Sequence, residues 1–164
     1  MKTLFIGGIK SGKSQCAEKY ALSHASEKPI YLATNEFFDK EMQSRVAHHK
    51  IQRADKFITY EEPQELYKCI LTTNKLVLVE CVSMWINNML HYKQDESSMH
   101  EQMQKILQLK QNIVFVINDV SCCVVSENPL TRKFVDINGR LAQLLASECD
   151  EVYNIVAGIS MKIK

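Results

Sequence analysis

Net charge is almost absent from this sequence: 20 Lys and Arg against 19 Asp and Glu leave +1 at pH 7. That balance excludes the broad electrostatic footprint with which a protein engages nucleic acid or an anionic membrane, so any bound anion must be held by a local site. Long hydrophobic runs are lacking as well. No segment reaches the ~18 consecutive apolar residues of a membrane span, and only "LFI" precedes the first glycines, too little for a secretory leader. The six cysteines (Cys16, Cys69, Cys81, Cys122, Cys123 and Cys149) form no C-x-x-C pair and no zinc-spaced His/Cys cluster. Most lie in apolar runs, where a free thiol acts as a small hydrophobe. Internal repeats, low-complexity tracts and long linkers are missing too. These absences point to a cytoplasmic protein in a reducing compartment, and 164 residues suffice for one domain with a real core, residues 1–164.

Alternating elements are what the sequence does contain. "KTLFIGG" is an apolar run stopped by glycines, the pattern of a buried strand. "SQCAEKYALSHA" spaces its apolar residues as a helix does. "PIYLAT" (Pro29–Thr34) reads as a strand, Asp39 to about Gln52 as an exposed amphipathic helix, and "FITY" as a short strand. "PQELYKCILTT" reads as a helix with Pro63 at its first position. "KLVLVECV" and "NIVFVIND" are continuous apolar runs of the kind buried on both faces of a sheet. Between them "SMWINNMLHY" and "SSMHEQMQKILQLKQ" read as helices. After a loop to Asn128, Pro129 opens a long helix with Gly139 as its weak point; "EVYNIVAG" is a last buried strand and "SMKIK" a short edge strand. Strands alternating with helices predict an α/β fold with a mostly parallel sheet.

Against that frame "GGIKSGKS" (Gly7–Ser14) matches G-x-x-x-x-G-K-[ST] between a strand and a helix. Glycines let the backbone wrap a phosphate, the helix N-terminus favours the anion, Lys13 reaches the β- and γ-phosphates, and the Ser14 hydroxyl suits Mg²⁺. The pattern implies a nucleoside triphosphate with Mg²⁺ and leaves hydrolysis, phosphoryl transfer and nucleotidyl transfer open. Two strand-end carboxylates, Glu80 and Asp119, are candidates for the second metal ligand, with Glu80 favoured. His48 and His49 are neighbours on an expected helix and so face different ways. One of them, flanked by Arg45, Lys50 and Arg53, is a candidate nucleophile toward phosphorus; the bland reading is a solvent-facing histidine. His24, His91 and His100 have no such setting.

Taken together, "GGIKSGKS", "YLAT", "DKEMQSRVAHHK", "LVECVSMWINNML", "SENPLTRKFVDINGRLAQLLASECDEVY" and "GISMKIK" resemble the bifunctional adenosylcobinamide kinase/adenosylcobinamide-phosphate guanylyltransferases of cobalamin biosynthesis. The resemblance implies a RecA-like P-loop NTPase fold, a central sheet flanked by helices, and a homotrimer. It implies two reactions on a corrinoid: phosphorylation of adenosylcobinamide with ATP or GTP, then transfer of GMP from GTP to adenosylcobinamide-phosphate. It assigns the covalent guanylyl acceptor to His48. Nucleotide contacts fall on Gly7, Gly8, Ile9, Lys10, Ser11, Gly12, Lys13 and Ser14, on Thr34, Asn35 and Glu36, on Lys50, Ile51, Gln52 and Arg53, and on Glu61 and Glu80.

One stretch departs from the family pattern. In "NDVSCCVVSENP", Asp119 stands where the family has Glu, Ser121 and Cys123 replace glycines, and Ser126 replaces Pro. The chain is also shorter between Asn88 and Asn112. These changes bear on the acceptor and the kinase step. Two rivals therefore stand beside the guanylyltransferase: a P-loop small-molecule kinase or NTPase with no need of His48, and a nucleotide-binding module that has lost catalysis.

Overall fold

A computed structural model describes residues 1–36, 55–121 and 124–164. Their elements are β1 (Lys2–Gly7), α1 (Lys13–His24), β2 (Ile30–Ala33), β3 (Ile58–Glu61), α2 (Leu66–Leu71), β4 (Val77–Glu80), α3 (Val82–His91), α4 (Glu96–Leu107), β5 (Ile113–Asn118), α5 (Pro129–Glu148), β6 (Glu151–Val156) and β7 (Ile159–Lys162). The strands form one sheet in the order β3-β2-β4-β5-β1-β6-β7. All neighbours are parallel except β6 and β7, which form an antiparallel hairpin. This is the α/β architecture expected from the alternation of apolar runs.

Both faces of the sheet are covered, which is why the central strands β4 and β5 are continuous apolar runs up to their polar last residues, Glu80 and Asn118. Leu4, Leu32, Val79, Phe115 and Ile117 face one way, onto Trp85, Met99, Met103, Leu141 and Leu145 of α3, α4 and α5. Their neighbours Phe5, Tyr31, Leu78, Val114 and Val116 face the other way. There α1 presents Ala17 and Ala21, both wholly buried, whose small side chains let the helix lie close to the sheet.

Three local expectations meet different outcomes. Pro63 does not open a helix: α2 begins three residues later, because Glu62 Oε1 accepts from the N–H groups of Gln64 and Glu65, each at 2.9 Å, and turns the chain first. Gly139 does not break α5, which runs unbroken from Pro129 to Glu148. Its start is as read, with Asn128 Oδ1 accepting from Leu130 N at 2.8 Å ahead of Pro129. The helix expected over 39–52 lies outside the described residues. Among those described, no helix is long and apolar enough to cross a membrane.

The β6–β7 edge carries a strongly perturbed carboxylate, Glu151. Lys162 bonds Glu151 Oε1, while Tyr20 OH (2.6 Å) and Tyr153 OH (3.1 Å) donate to its Oε2. The Lys162 ammonium and then the Tyr20 hydroxyl hold Glu151 down at about 2, against an ordinary 4.5. A depressed carboxylate stabilises the fold above its unfolded pKa and loses that contribution as pH falls through its folded one. Glu151→Gln should therefore lower thermal stability at neutral pH and flatten the loss of stability between pH 4.5 and 2, as read from melting curves across that range.

Candidate active site

The phosphate loop is built by close approach. As the chain leaves β1, Gly7 O accepts from Asp119 N at 2.9 Å. A Cβ on Gly7 would lie 2.5 Å from Ile155 O and 2.7 Å from Ser11 Oγ, so no side chain fits. Ser11 N then donates to Gly8 O at 3.1 Å, and Gly12, at φ +93°, turns the chain into α1. The β6–β7 turn braces the loop from outside: Gly158 N donates to Ser11 O at 2.7 Å, and a Cβ on Gly12 would come within 3.2 Å of Gly158 Cα. Lys13 is 7% exposed and donates from Nζ to Gly8 O at 3.2 Å; Ile9, at 76%, forms the outer lip. The unpaired N–H groups and positive dipole end of α1 complete a cradle for an anion.

Parallel register brings the other candidates to the same edge of the sheet. Ala33 is level with both Glu61 and Glu80, and Gly7 with Asn118. Glu80 Oε1 accepts from Ser14 Oγ at 2.7 Å. Of the two strand-end carboxylates it is therefore Glu80 that meets the loop. Asp119 Oδ1 instead accepts from Ser121 N (2.9 Å) and Ser121 Oγ (2.5 Å), an Asx-type turn that holds its own loop. Thr34 is wholly buried. Its hydroxyl accepts from Cys81 N at 2.9 Å and donates to Cys81 O at 2.8 Å, so it locks β2 to the end of β4 rather than facing a ligand. Asn35 and Glu36 are half-buried and Glu61 is exposed. Burial pushes the Cys81 thiol up to about 11, which removes it as a nucleophile. His48, Lys50, Ile51, Gln52 and Arg53 lie outside the described residues, as do Cys122 and Cys123.

Several polar residues at this edge escape a reading by motif. Buried Ser83 donates to Asn138 Oδ1 at 2.7 Å and accepts from Asn118 N at 2.9 Å, while Asn138 Nδ2 donates to Asn118 O at 2.9 Å. This triangle ties α3 and α5 to the end of β5. Beside it opens a cleft of about 480 Å³, lined by Asn118, Asp119, Ser121, Asp136, Asn138 and Arg140 among others. Asn88, also fully buried, donates to Thr34 O (2.6 Å) and Pro63 O (3.1 Å). The available signal is positional: Asn88 and Asn138 occupy core-facing turns of otherwise apolar helix faces, where a polar group must find partners.

A strand, a glycine loop and a helix around a buried lysine, with a serine–carboxylate pair at the carboxyl edge of a parallel sheet, define a P-loop nucleotide-binding protein. The fold is shared with the flagellar accessory protein FlaH of Methanocaldococcus jannaschii (TM-score 0.53, 12% identity, 99% of this chain and 77% of that one). A KaiC-like protein from Pyrococcus horikoshii is similar as well (TM-score 0.51, 13% identity, 93% and 69%). Within that class the family model described as cobinamide kinase / cobinamide phosphate guanyltransferase matches residues 3–163, and the chain belongs to this family. It is 35% identical to the bifunctional adenosylcobalamin biosynthesis protein CobU of Escherichia coli, over the whole of both chains. It is 32% identical to the Pseudomonas aeruginosa protein CobP, over the whole of this chain and 98% of that one.

The loop geometry predicts opposite outcomes for two of its glycines, Gly12 and Gly8. Gly12→Ala adds a Cβ at a left-handed residue and against Gly158, and should cost about 1–2 kcal/mol of stability and weaken GTP binding at least tenfold. Gly8→Ala adds its Cβ to open space and should leave the melting temperature within about 2 °C of the wild type. Thermal melts and calorimetric GTP titrations of both variants check this.

Proposed function

We propose that this protein phosphorylates adenosylcobinamide and then transfers GMP from GTP to adenosylcobinamide-phosphate through a guanylyl-histidine at His48. The observation that carries the reading is the family match over residues 3–163, on a chain whose phosphate loop closes around Lys13 and sets Ser14 against Glu80.

The chemistry follows from the residue types. An imidazole nitrogen of His48 attacks the α-phosphorus of GTP: an N–P bond forms, the bond to the β-phosphate oxygen breaks, and pyrophosphate leaves as the imidazole proton passes to solvent. Lys13 and the N–H groups of the loop neutralise the charge that builds on the departing phosphates. A phosphate oxygen of the acceptor then displaces the imidazole, which leaves readily once protonated. In the kinase step the same loop holds the β- and γ-phosphates of ATP or GTP while the acceptor hydroxyl attacks the γ-phosphorus.

Ser14 and Glu80 are the residues for Mg²⁺. Their oxygens lie 2.7 Å apart, joined by the Ser14 hydrogen bond, and these two hard oxygen donors would hold the ion beside the phosphate loop. When bound, Mg²⁺ supplies charge neutralisation at the phosphates. The nucleotide contacts continue through Thr34, Asn35, Glu36, Lys50, Ile51, Gln52, Arg53 and Glu61, with Thr34 contributing its backbone position. The cleft between β5 and α5 is the place for the corrinoid arm, and the Asp119–Ser121 turn shapes its wall without the family's glycines. We further propose a single domain, a cytoplasmic location and a homotrimer. The free thiols of Cys16, Cys69, Cys81 and Cys149 support a reducing compartment, and exposed Ile159 and Met161 on the edge strand β7, with Ile163 just beyond it, support association.

Incubation with GTP and Mg²⁺ should raise the intact mass of the wild type by one GMP and leave His48→Ala unmodified. A simple kinase, or a module that binds GTP and releases it intact, would show no adduct in either protein.

A further inference from the structure

The loop after β5 holds a carboxylate by one oxygen and leaves the other open. Asp119 is the first residue past the strand, and its N–H donates to Gly7 O at 2.9 Å, so it stands beside the strand end from which the phosphate loop rises. The residue before it is pinned as well: Asn118 N donates to Ser83 Oγ and Asn118 O accepts from Asn138 Nδ2, each at 2.9 Å. The side chain is fixed next. Asp119 Oδ1 accepts from the N–H of Ser121 at 2.9 Å and from its hydroxyl at 2.5 Å. Oδ2 has no hydrogen-bond partner among the described residues, and it is not one of the unpartnered polar atoms sealed from solvent. Asp119 and Ser121 both line the cleft of about 480 Å³ between β5 and α5.

The turn by itself does not require a carboxylate. An asparagine would accept the same two bonds and close the same Asx-type turn. What the aspartate adds is a second oxygen that carries charge and can take up a proton. The other carboxylate of the cleft, Asp136, lies on α5 and is exposed, whereas Asp119 is bonded to the first glycine of the phosphate loop. Asp119 and Ser121 are also two of the positions at which the chain departs from the family pattern, and in the fold the departures meet. The shorter carboxylate is held by a hydroxyl that a glycine could not supply.

We propose that Asp119 is the general base of the kinase step and that Ser121 is its positioning residue. The hydroxyl oxygen of the acceptor bonds to the γ-phosphorus, and the bond from that phosphorus to the bridging β–γ oxygen breaks. The nucleoside diphosphate leaves, and the hydroxyl proton passes to Asp119 Oδ2 and on to water. Ser121 touches no substrate; by occupying Oδ1 it fixes which oxygen is left for the proton. This rests on the reading of the chain as an adenosylcobinamide kinase with the acceptor arm in this cleft. Guanylylation needs no such base, because its nucleophile is already a basic nitrogen.

Three assays on the same purified variants test this. The first is phosphorylation of adenosylcobinamide by γ-labelled ATP. The second is the guanylyl adduct formed from GTP, read as intact mass. The third is conversion of supplied adenosylcobinamide-phosphate to adenosylcobinamide-GDP. Asp119→Asn keeps an acceptor for Ser121 and should lower kcat for phosphorylation about 100-fold or more, with KM for ATP within about twofold. It should still form the adduct and still convert adenosylcobinamide-phosphate, which arrives with the kinase step already done. Ser121 is exposed, so Ser121→Ala should fold as the wild type does. It should lower the same kcat about 3–10-fold with KM little changed, and Ser121→Thr should restore it. In Asp119→Asn, adding Ser121→Ala should cost nothing further, because the serine acts through the carboxylate.

Asp119→Asn phosphorylating adenosylcobinamide like the wild type would overturn the assignment and leave the kinase reading intact. So would a comparable loss found in Asp136→Asn but not in Asp119→Asn. An Asp119→Asn protein that fails equally with supplied adenosylcobinamide-phosphate would also overturn it, since the carboxylate would then hold the cleft rather than activate a hydroxyl. A wild type that forms the adduct yet phosphorylates no adenosylcobinamide would remove the kinase reading and the base with it.

Discussion

Gly7 and the main chain of Ile155 are so close that a single methyl group cannot come between them, and the rest of the site depends on that contact. It presses the end of β1 against β6 and lets the loop fold back over Ser11. The β6–β7 turn then closes from outside through the Gly158–Ser11 bond. Only with the loop seated there does α1 start where Lys13 is buried and Ser14 meets Glu80. The site is therefore tuned by main-chain packing before any charged side chain takes part. That is economical for phosphate binding, since backbone N–H groups held by tight packing need no reorganisation when an anion arrives.

The sheet supplies the second constraint. Parallel strands in register deliver their carboxyl ends to one edge, and that edge carries Gly7, Glu80, Thr34, Glu61 and Asp119 from five separate stretches of chain. Buried amides and hydroxyls then lock the elements leaving it. Ser83 and Asn138 hold β5 to α3 and α5, Thr34 holds β2 to the residue after β4, and Asn88 holds β2 to the turn after β3. Among these ties Asn88 differs in leaving its own Oδ1 buried without a hydrogen-bond partner among the described residues.

Much of this was legible in the sequence, and the physical reason differs by feature. The central strands β4 and β5 were readable because a continuous apolar run makes sense only inside a doubly covered sheet. The loop was readable because its glycines, lysine and serine do their work locally. The choice between Glu80 and Asp119 was only half readable, since both end apolar strands; the Ser121 turn that occupies Asp119 depends on loop geometry. Pro63 misled because a carboxylate one residue earlier captured the N–H groups that would have begun the helix. The long helix was readable through Gly139 because packing of the α5 face outweighs the propensity of one residue. Asn88, Tyr92, Ser83 and Asn138 belong to no motif, because their partners are 20 to 56 residues away and appear only when the fold brings them together.

The central claim is that the loop serves nucleotidyl transfer through a covalent protein intermediate. The most direct test supplies GTP labelled at the α-phosphate, removes the free nucleotide, and then adds adenosylcobinamide-phosphate. The account predicts label on the protein after the first step and its passage to adenosylcobinamide-GDP after the second. Label that never enters the protein, or that stays there when the acceptor is added, would contradict it.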